Sequence, residues 1–235
     1  MKTNRAGLLD RYFYFFMALL ITGIVIYGFH FTVDKNLIHP AVPRPPLLYF
    51  HAAVFSSWLV FLILQSALVR TRNVQVHRKI GWFGVALGVA IPPLGVYTAI
   101  TMGRFNALKL HQADTAADLI IPLWDMVVFT TTFALAIYWR RRPEFHRRLI
   151  LVATCALSAA AFGRFPENLL PPVFFYAGVD VLILFGVARD LITSRTVHPI
   201  YRYALPAIIL GQVFVMYTNT HKSPWWLKIA HALLG

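Results

Sequence analysis

The chain is expected to fold as an all-α polytopic membrane protein with seven transmembrane helices and a short C-terminal helix on the membrane surface. Three observations carry that expectation. The 235 residues are 58% hydrophobic and only 13% charged, far from the usage of a soluble domain. Seven mostly apolar stretches of roughly 18–26 residues recur along the chain, the length that crosses a bilayer. Basic residues also collect on alternate connections. The spans are expected at about 12–31, 47–69, 80–102, 114–139, 144–164, 169–189 and 201–218, with the surface helix at 224–234, all in one domain of residues 1–235.

With the N-terminus placed inside, Lys2, Arg5, Arg11, Arg70, Arg72, Arg78, Lys79, Arg140, Arg141, Arg142, Arg147, Arg148, Arg189, Arg195 and Arg202 share one side. That is fifteen of the 22 Lys and Arg residues. Lys35, Arg44, Arg104, Lys109, Arg164, Lys222 and Lys228 share the other. Basic excess in short loops marks the cytoplasmic face, so the orientation reads N-terminus in, C-terminus out. The net charge of +13 is thereby topology, with contact to anionic lipid added. Nucleic acid is not an expected partner.

The first apolar run is too long for a signal peptide, and FHFTVDKN offers no small-residue cleavage site, so it reads as a retained helix. The connection TVDKNLIHPAVPRPP is proline-rich and expected to be extended. VQVHRKIGW, PEFHRRLIL and RTVHPIYRY open helices three, five and seven, each with one histidine, His77, His146 or His198. The repeat suggests three hairpins beside a first helix. Its histidines read as interfacial groups bonded to headgroups or helix ends, with a proton relay as the chemical alternative.

Gly81, Gly84, Gly88 and Gly95 line helix three, and Ala153, Ala156, Ala160 and Gly163 line helix five. Small residues let helix backbones approach in lipid, so these two helices are expected at the centre. Pro92 and Pro93 should break or kink helix three. In the tail, Ser223 reads as an N-cap, Pro224 as the first helical residue, and Trp225 and Trp226 as headgroup-level aromatics. The single cysteine, Cys155, excludes an internal disulfide framework and a cysteine metal cluster.

The intramembrane polar residues carry the functional expectations. At 100° per residue, His111, Asp114, Asp118 and Asp125 fall on one stripe if helix four starts at 111. Asp125 lies about two turns inside and is expected to be protonated, paired or hydrated. Arg164, at the same end of helix five, is the expected partner. Helix two carries a second stripe of His51, Phe55, Trp58, Leu62 and Gln65. His30 ends helix one at the height of His51, and Asp180 and Gln212 add polar groups from helices six and seven.

Three chemistries fit these residues. Haem b needs imidazoles from facing helices, which here means His51 with His30 or His111. A divalent metal would use His111 with Asp114 or Asp118. A pocket for a small ligand or quinone would draw on His51, Trp58, Asp118, Asp125, Arg164 and Gln212. Phosphate-loop, nucleophile-elbow, H-E-x-x-H and retinal-lysine signatures are absent. The function readings are a ligand or redox-group protein, a non-catalytic accessory subunit of a larger membrane complex, or a small-solute transporter.

His51, Trp58 and Gln65, followed by the H-R-x-x-G of His77, Arg78 and Gly81, with PEFHRRLILVAT and the tail SPWWLKIAHALLG, resemble a group of small bacterial multi-pass inner-membrane proteins. Most of that group is uncharacterised. The resemblance spans most of the chain, implies residence in a bacterial inner membrane and transfers no activity. The H-R-x-x-G opening is also loosely similar to cytochrome b561-like proteins, whose paired membrane-depth histidines this sequence does not reproduce.

Overall fold

A computed structural model describes residues 5–235. Lys2 lies outside the described residues, as does the side chain of Arg5. The elements are α1 (Arg5–Val33), α2 (Pro46–Arg70), α3 (Val74–Lys109), α4 (Thr115–Tyr138), α5 (Pro143–Phe162), α6 (Pro172–Ser194), α7 (Pro199–Thr220) and α8 (Pro224–Leu234). Seven of them, α1 to α7, are long and apolar enough to cross a membrane. No strand is present among the described residues. The chain is a polytopic all-α membrane protein, and its apolar helix surfaces imply contact with lipid.

Local sequence accounts for most boundaries. Pro46, Pro143, Pro199 and Pro224 each occupy the first turn of a helix, where the missing N–H costs nothing. Arg72, Arg195 and Lys222 take left-handed φ values of 64°, 54° and 48° in the turns that end α2, α6 and α7. Pro122 lacks the N–H that would bond the carbonyl of Asp118, and the helix assignment of α4 breaks for one residue at Leu119.

Four expectations are corrected. α3 runs unbroken through Pro92 and Pro93; its 36 residues are about 54 Å long, and it overshoots the expected end at 102. The connection after α1 is not extended throughout, since α1 continues as a π-helical turn over Asp34–Ile38. Helix three is not central. In the apolar core of α5, 67% of residues are buried, against 44% in α4 and 28% in α3. The reason lies in what the small residues receive. Gly84 takes the ring of Phe61 from α2, and Gly88 and Gly95 take the ring of Phe133 and the side chain of Met126 from α4, so the glycines of α3 receive large side chains in place of the expected close backbone approach. A close backbone crossing occurs elsewhere, where Gly28 of α1 rests on the backbone of Ala161 in α5.

The fourth correction concerns the tail. α8 is fixed to the bundle as well as lying across its end. The buried Trp226 donates its indole N–H to the carbonyls of Ala116 and Ala117, at 3.1 and 3.2 Å. Arg104, on the overhang of α3, donates to the carbonyl of Leu233 at 2.8 Å. Trp225 stays half exposed. The Ser223 side chain makes no capping bond; its carbonyl accepts from Trp226 and Leu227 instead.

Two of the repeated histidines serve helix ends. His146 bonds the carbonyl of Ala136 in the last turn of α4, at 2.9 Å. His198 caps α7, its ring nitrogen accepting from the Ile200 N–H at 3.3 Å. His77 leaves its Nδ1 buried and without a hydrogen-bond partner.

Candidate functional site

The end carrying the connections α2–α3, α4–α5 and α6–α7 is called here the basic end. At the opposite end the expected stripe of acids does not form. His111 and Asp114 have φ of 51° and 67°, which no right-handed helix contains, so the helix begins at Thr115. Asp114 pairs with Lys222 at 2.5 Å, and Asp118 accepts from the Asn219 amide at 2.9 Å. Both acids therefore tie the start of α4 to the end of α7. Among the described residues, no three His, Cys, Asp or Glu side chains are grouped to hold a metal ion. The set His111, Asp114 and Asp118 is not brought together.

Asp125 is buried as expected, but its partner is not Arg164. It accepts from the Tyr176 hydroxyl of α6 at 3.0 Å. Arg164 lies past the last turn of α5 and curls back along its own chain. Its guanidinium bonds the Ala160 carbonyl and sits 4.3 Å from the ring centroid of Phe29 in α1. The Gly28–Ala161 crossing explains the choice, because it brings α1 against the face of α5 from which Arg164 projects. Asp125 faces α6 from α4.

The residues expected to share one pocket thus fall into separate groups. Trp58 donates to the Thr154 hydroxyl at 3.3 Å, with its ring edge-on to Phe129 and Phe133. Gln212 is buried and within interaction range of Asp180. His51 stacks on Phe55, ring centroids 3.9 Å apart. Its Nδ1 is buried with no hydrogen-bond partner, and the charge of Arg164 is close enough to act on it. Of the expected pocket residues, Arg164 is the one whose charge reaches His51, and no hydrogen bond joins the two.

The haem candidates lie on three segments: His30 in the last turns of α1, His51 in the first turns of α2, and His111 in a loop. His30 meets the edge of Phe31 at 5.4 Å. No ring contact or hydrogen bond joins any two of the three histidines, so the geometry does not present a facing imidazole pair.

A larger polar group sits at the basic end. Arg148 of α5 donates to both oxygens of Asp190 in α6, through Nε at 2.9 Å and a terminal nitrogen at 2.6 Å. Arg189 donates to the same carboxylate at 2.7 Å, and the backbone N–H of His198 reaches it at 3.3 Å. Glu144 pairs with Arg147 and Arg148 at 2.7 and 2.6 Å. Arg148 and Arg189 are each 3% exposed and Asp190 is 0% exposed. By loop position alone these arginines read as topology, and Asp190 carries no expectation. The signal was present, since Glu144 precedes Arg148 by one helical turn and Asp190 is an acid among basic-end arginines.

Set against known protein families, curated proteins and solved structures, the chain matches none of them. What the fold and its buried polar pairs define is an integral membrane protein of seven spanning helices.

Proposed function

We propose that the protein binds a small lipophilic ligand through its oxygen acceptors at the end opposite the basic loops, between α1, α2 and the C-terminal turn of α5. The observation that supports this is Arg164. Its guanidinium lies just past the end of α5, half-buried, with one backbone carbonyl and one aromatic ring as its partners and, among the described residues, no carboxylate paired with it. A guanidinium carries five N–H donors in a planar fork, and a single carbonyl leaves most of them available. His51 adds a ring nitrogen without a partner, while Phe29 and Phe55 add apolar walls.

Among haem b, a divalent metal and a quinone, the quinone asks least of this geometry. Its carbonyl oxygens need only donors, which Arg164 and a neutral His51 both offer, and its ring and tail belong in an apolar surround. Haem needs two facing imidazoles and the metal needs a converging ligand set.

The test is to purify the protein gently from native membranes, extract it for quinone, and record oxidised and dithionite-reduced spectra. The expected result is a co-purifying quinone that Arg164→Gln loses and His51→Ala depletes, with thermal unfolding of both variants close to the parent. A Soret band with a sharp reduced α band, lost in His51→Ala, would replace the quinone with haem b. Neither quinone nor pigment would refute the redox reading.

A further inference from the structure

The surface between α4 and α7 holds a groove of about 440 Å³. Its walls include Thr131 and Leu135 of α4 and Ala204, Ala207 and Ile208 of α7, and α5 supplies the floor through Phe145 and Leu149. The threonines do not make it polar. Thr131 and Thr132 return their hydroxyl protons to the carbonyls of Val127 and Val128 in their own helix. The lining is therefore chemically suited to an acyl chain and to little else. Along α4 and the residue after it the lining extends from Trp124 to Trp139, a rise of about 22 Å. One leaflet of the hydrocarbon core is about 15 Å deep, so a whole chain can lie in the slot.

The mouth at the basic end has a different character. Trp139, Phe145 and Tyr203 ring it, as expected of aromatics at headgroup depth. The guanidinium of Arg142 sits 6.0 Å from the Phe145 ring centroid. Arg140 directly follows Trp139, and Arg202 directly precedes Tyr203; all three arginines are exposed. Among the described residues none of the three is paired with a carboxylate. Among the described side chains, the basic-end acids Glu144 and Asp190 bond Arg147, Arg148 and Arg189 instead. α5 and α7 also begin here, at Pro143 and Pro199, and direct their positive ends to the same mouth.

We propose that one anionic phospholipid is a resident ligand of this groove, with an acyl chain between α4 and α7 and its phosphate against Arg140, Arg142 and Arg202. Neither this groove nor the neighbouring one between α3 and α4, lined by Pro92, Pro93 and Tyr97, has an arginine or lysine in its lining; the α4–α7 groove differs in that lining residues at its mouth, Trp139 and Tyr203, are flanked in the chain by Arg140 and Arg202. The lipid site is independent of the quinone reading, because it lies between other helices and opens at the other end.

Native mass spectrometry of the delipidated full-length protein, titrated with phosphatidylglycerol or phosphatidylcholine, tests the proposal. The parent should retain one phosphatidylglycerol at a concentration about tenfold or more below that needed for phosphatidylcholine, given three basic side chains at the surface. Ala204→Phe fills the groove and should abolish that first, tight site. The triple change Arg140→Gln, Arg142→Gln and Arg202→Gln should equalise the two lipids. If Ala204→Phe does not fold, judged by thermal unfolding in detergent, Ala207→Ile makes a smaller intrusion and should weaken the same site. Equal retention of both lipids by the parent, or undiminished phosphatidylglycerol binding in the filled-groove variant, would overturn it.

Discussion

Removing the carboxylate of Asp190 should be among the most damaging single changes in this protein. In Asp190→Leu, Arg148 loses two charge-assisted bonds of 2.9 and 2.6 Å and Arg189 loses one of 2.7 Å. Both guanidiniums are 3% exposed, so water does not replace what is lost. Breaking a buried pair by deleting one partner costs about 3–5 kcal/mol. For a chain of this size each kcal/mol moves the melting temperature by roughly 2–4 °C. Asp190→Leu should therefore lower the thermal midpoint in mild detergent by about 6–20 °C. Glu144 still holds Arg148 on its other side, which places the expected value in the lower half of that range. The double variant Asp190→Leu with Arg148→Met removes both charges of the main pair and should recover a large part of the loss. The assay is a thermal or denaturant titration followed by intrinsic fluorescence, with all four corners of the cycle measured. A midpoint within 2 °C of the parent for Asp190→Leu would refute the argument. So would a double variant no better than the single one.

Three further outcomes are expected. Gly28→Ala sets a methyl group against the backbone of Ala161 and should cost about 1–3 kcal/mol by overpacking, whereas Gly23→Ala, whose Cβ meets nothing within 4 Å, should leave the midpoint unchanged; equal effects at the two positions would remove the close crossing from the account. Tyr176→Phe takes from buried Asp125 its hydroxyl donor and should cost about 1–3 kcal/mol, while Arg164→Gln should not move the stability of this pair; a coupling between Arg164 and Asp125 in a double-mutant cycle would contradict the observed partners. Trp226→Phe keeps an aromatic ring but loses the indole donor to Ala116 and Ala117, so limited proteolysis should release the tail after Lys222 faster than in the parent, and Asp114→Asn, which breaks only an exposed ion pair with Lys222, should change that rate much less.

Much of the bundle was legible in the sequence because the bilayer imposes a one-dimensional rule. A span must be apolar for about twenty residues whatever it packs against, so all seven spans and the terminal helix could be located from hydropathy and capping residues. The burial of Asp125 and Trp58 was legible for the same reason, since a polar tip on an apolar helix has to turn inward. Partners were not legible. Arg164 and Asp125 lie at one end on consecutive helices, and depth alone makes them a pair. The direction in which Arg164 leaves its helix depends on where α1 crosses, and Gly28 set that crossing some 130 residues away in the chain. His111 and Asp114 fail differently: their left-handed backbone removes them from the helix, and the spacing rule then has no meaning for them.

The sequence by itself determined what each segment must be, a membrane-spanning helix, a basic turn or an aromatic surface helix, because those are local balances of transfer free energy and backbone satisfaction. Only the tertiary structure decided which polar group meets which, since each buried group takes the nearest acceptable partner. Nearness is set by helix crossings that depend on small residues far apart in the chain. That is why Asp125 holds Tyr176, why Asp190 gathers two arginines that a count by loop reads as topology, and why Arg164 turns back onto its own helix and Phe29 with donors to spare.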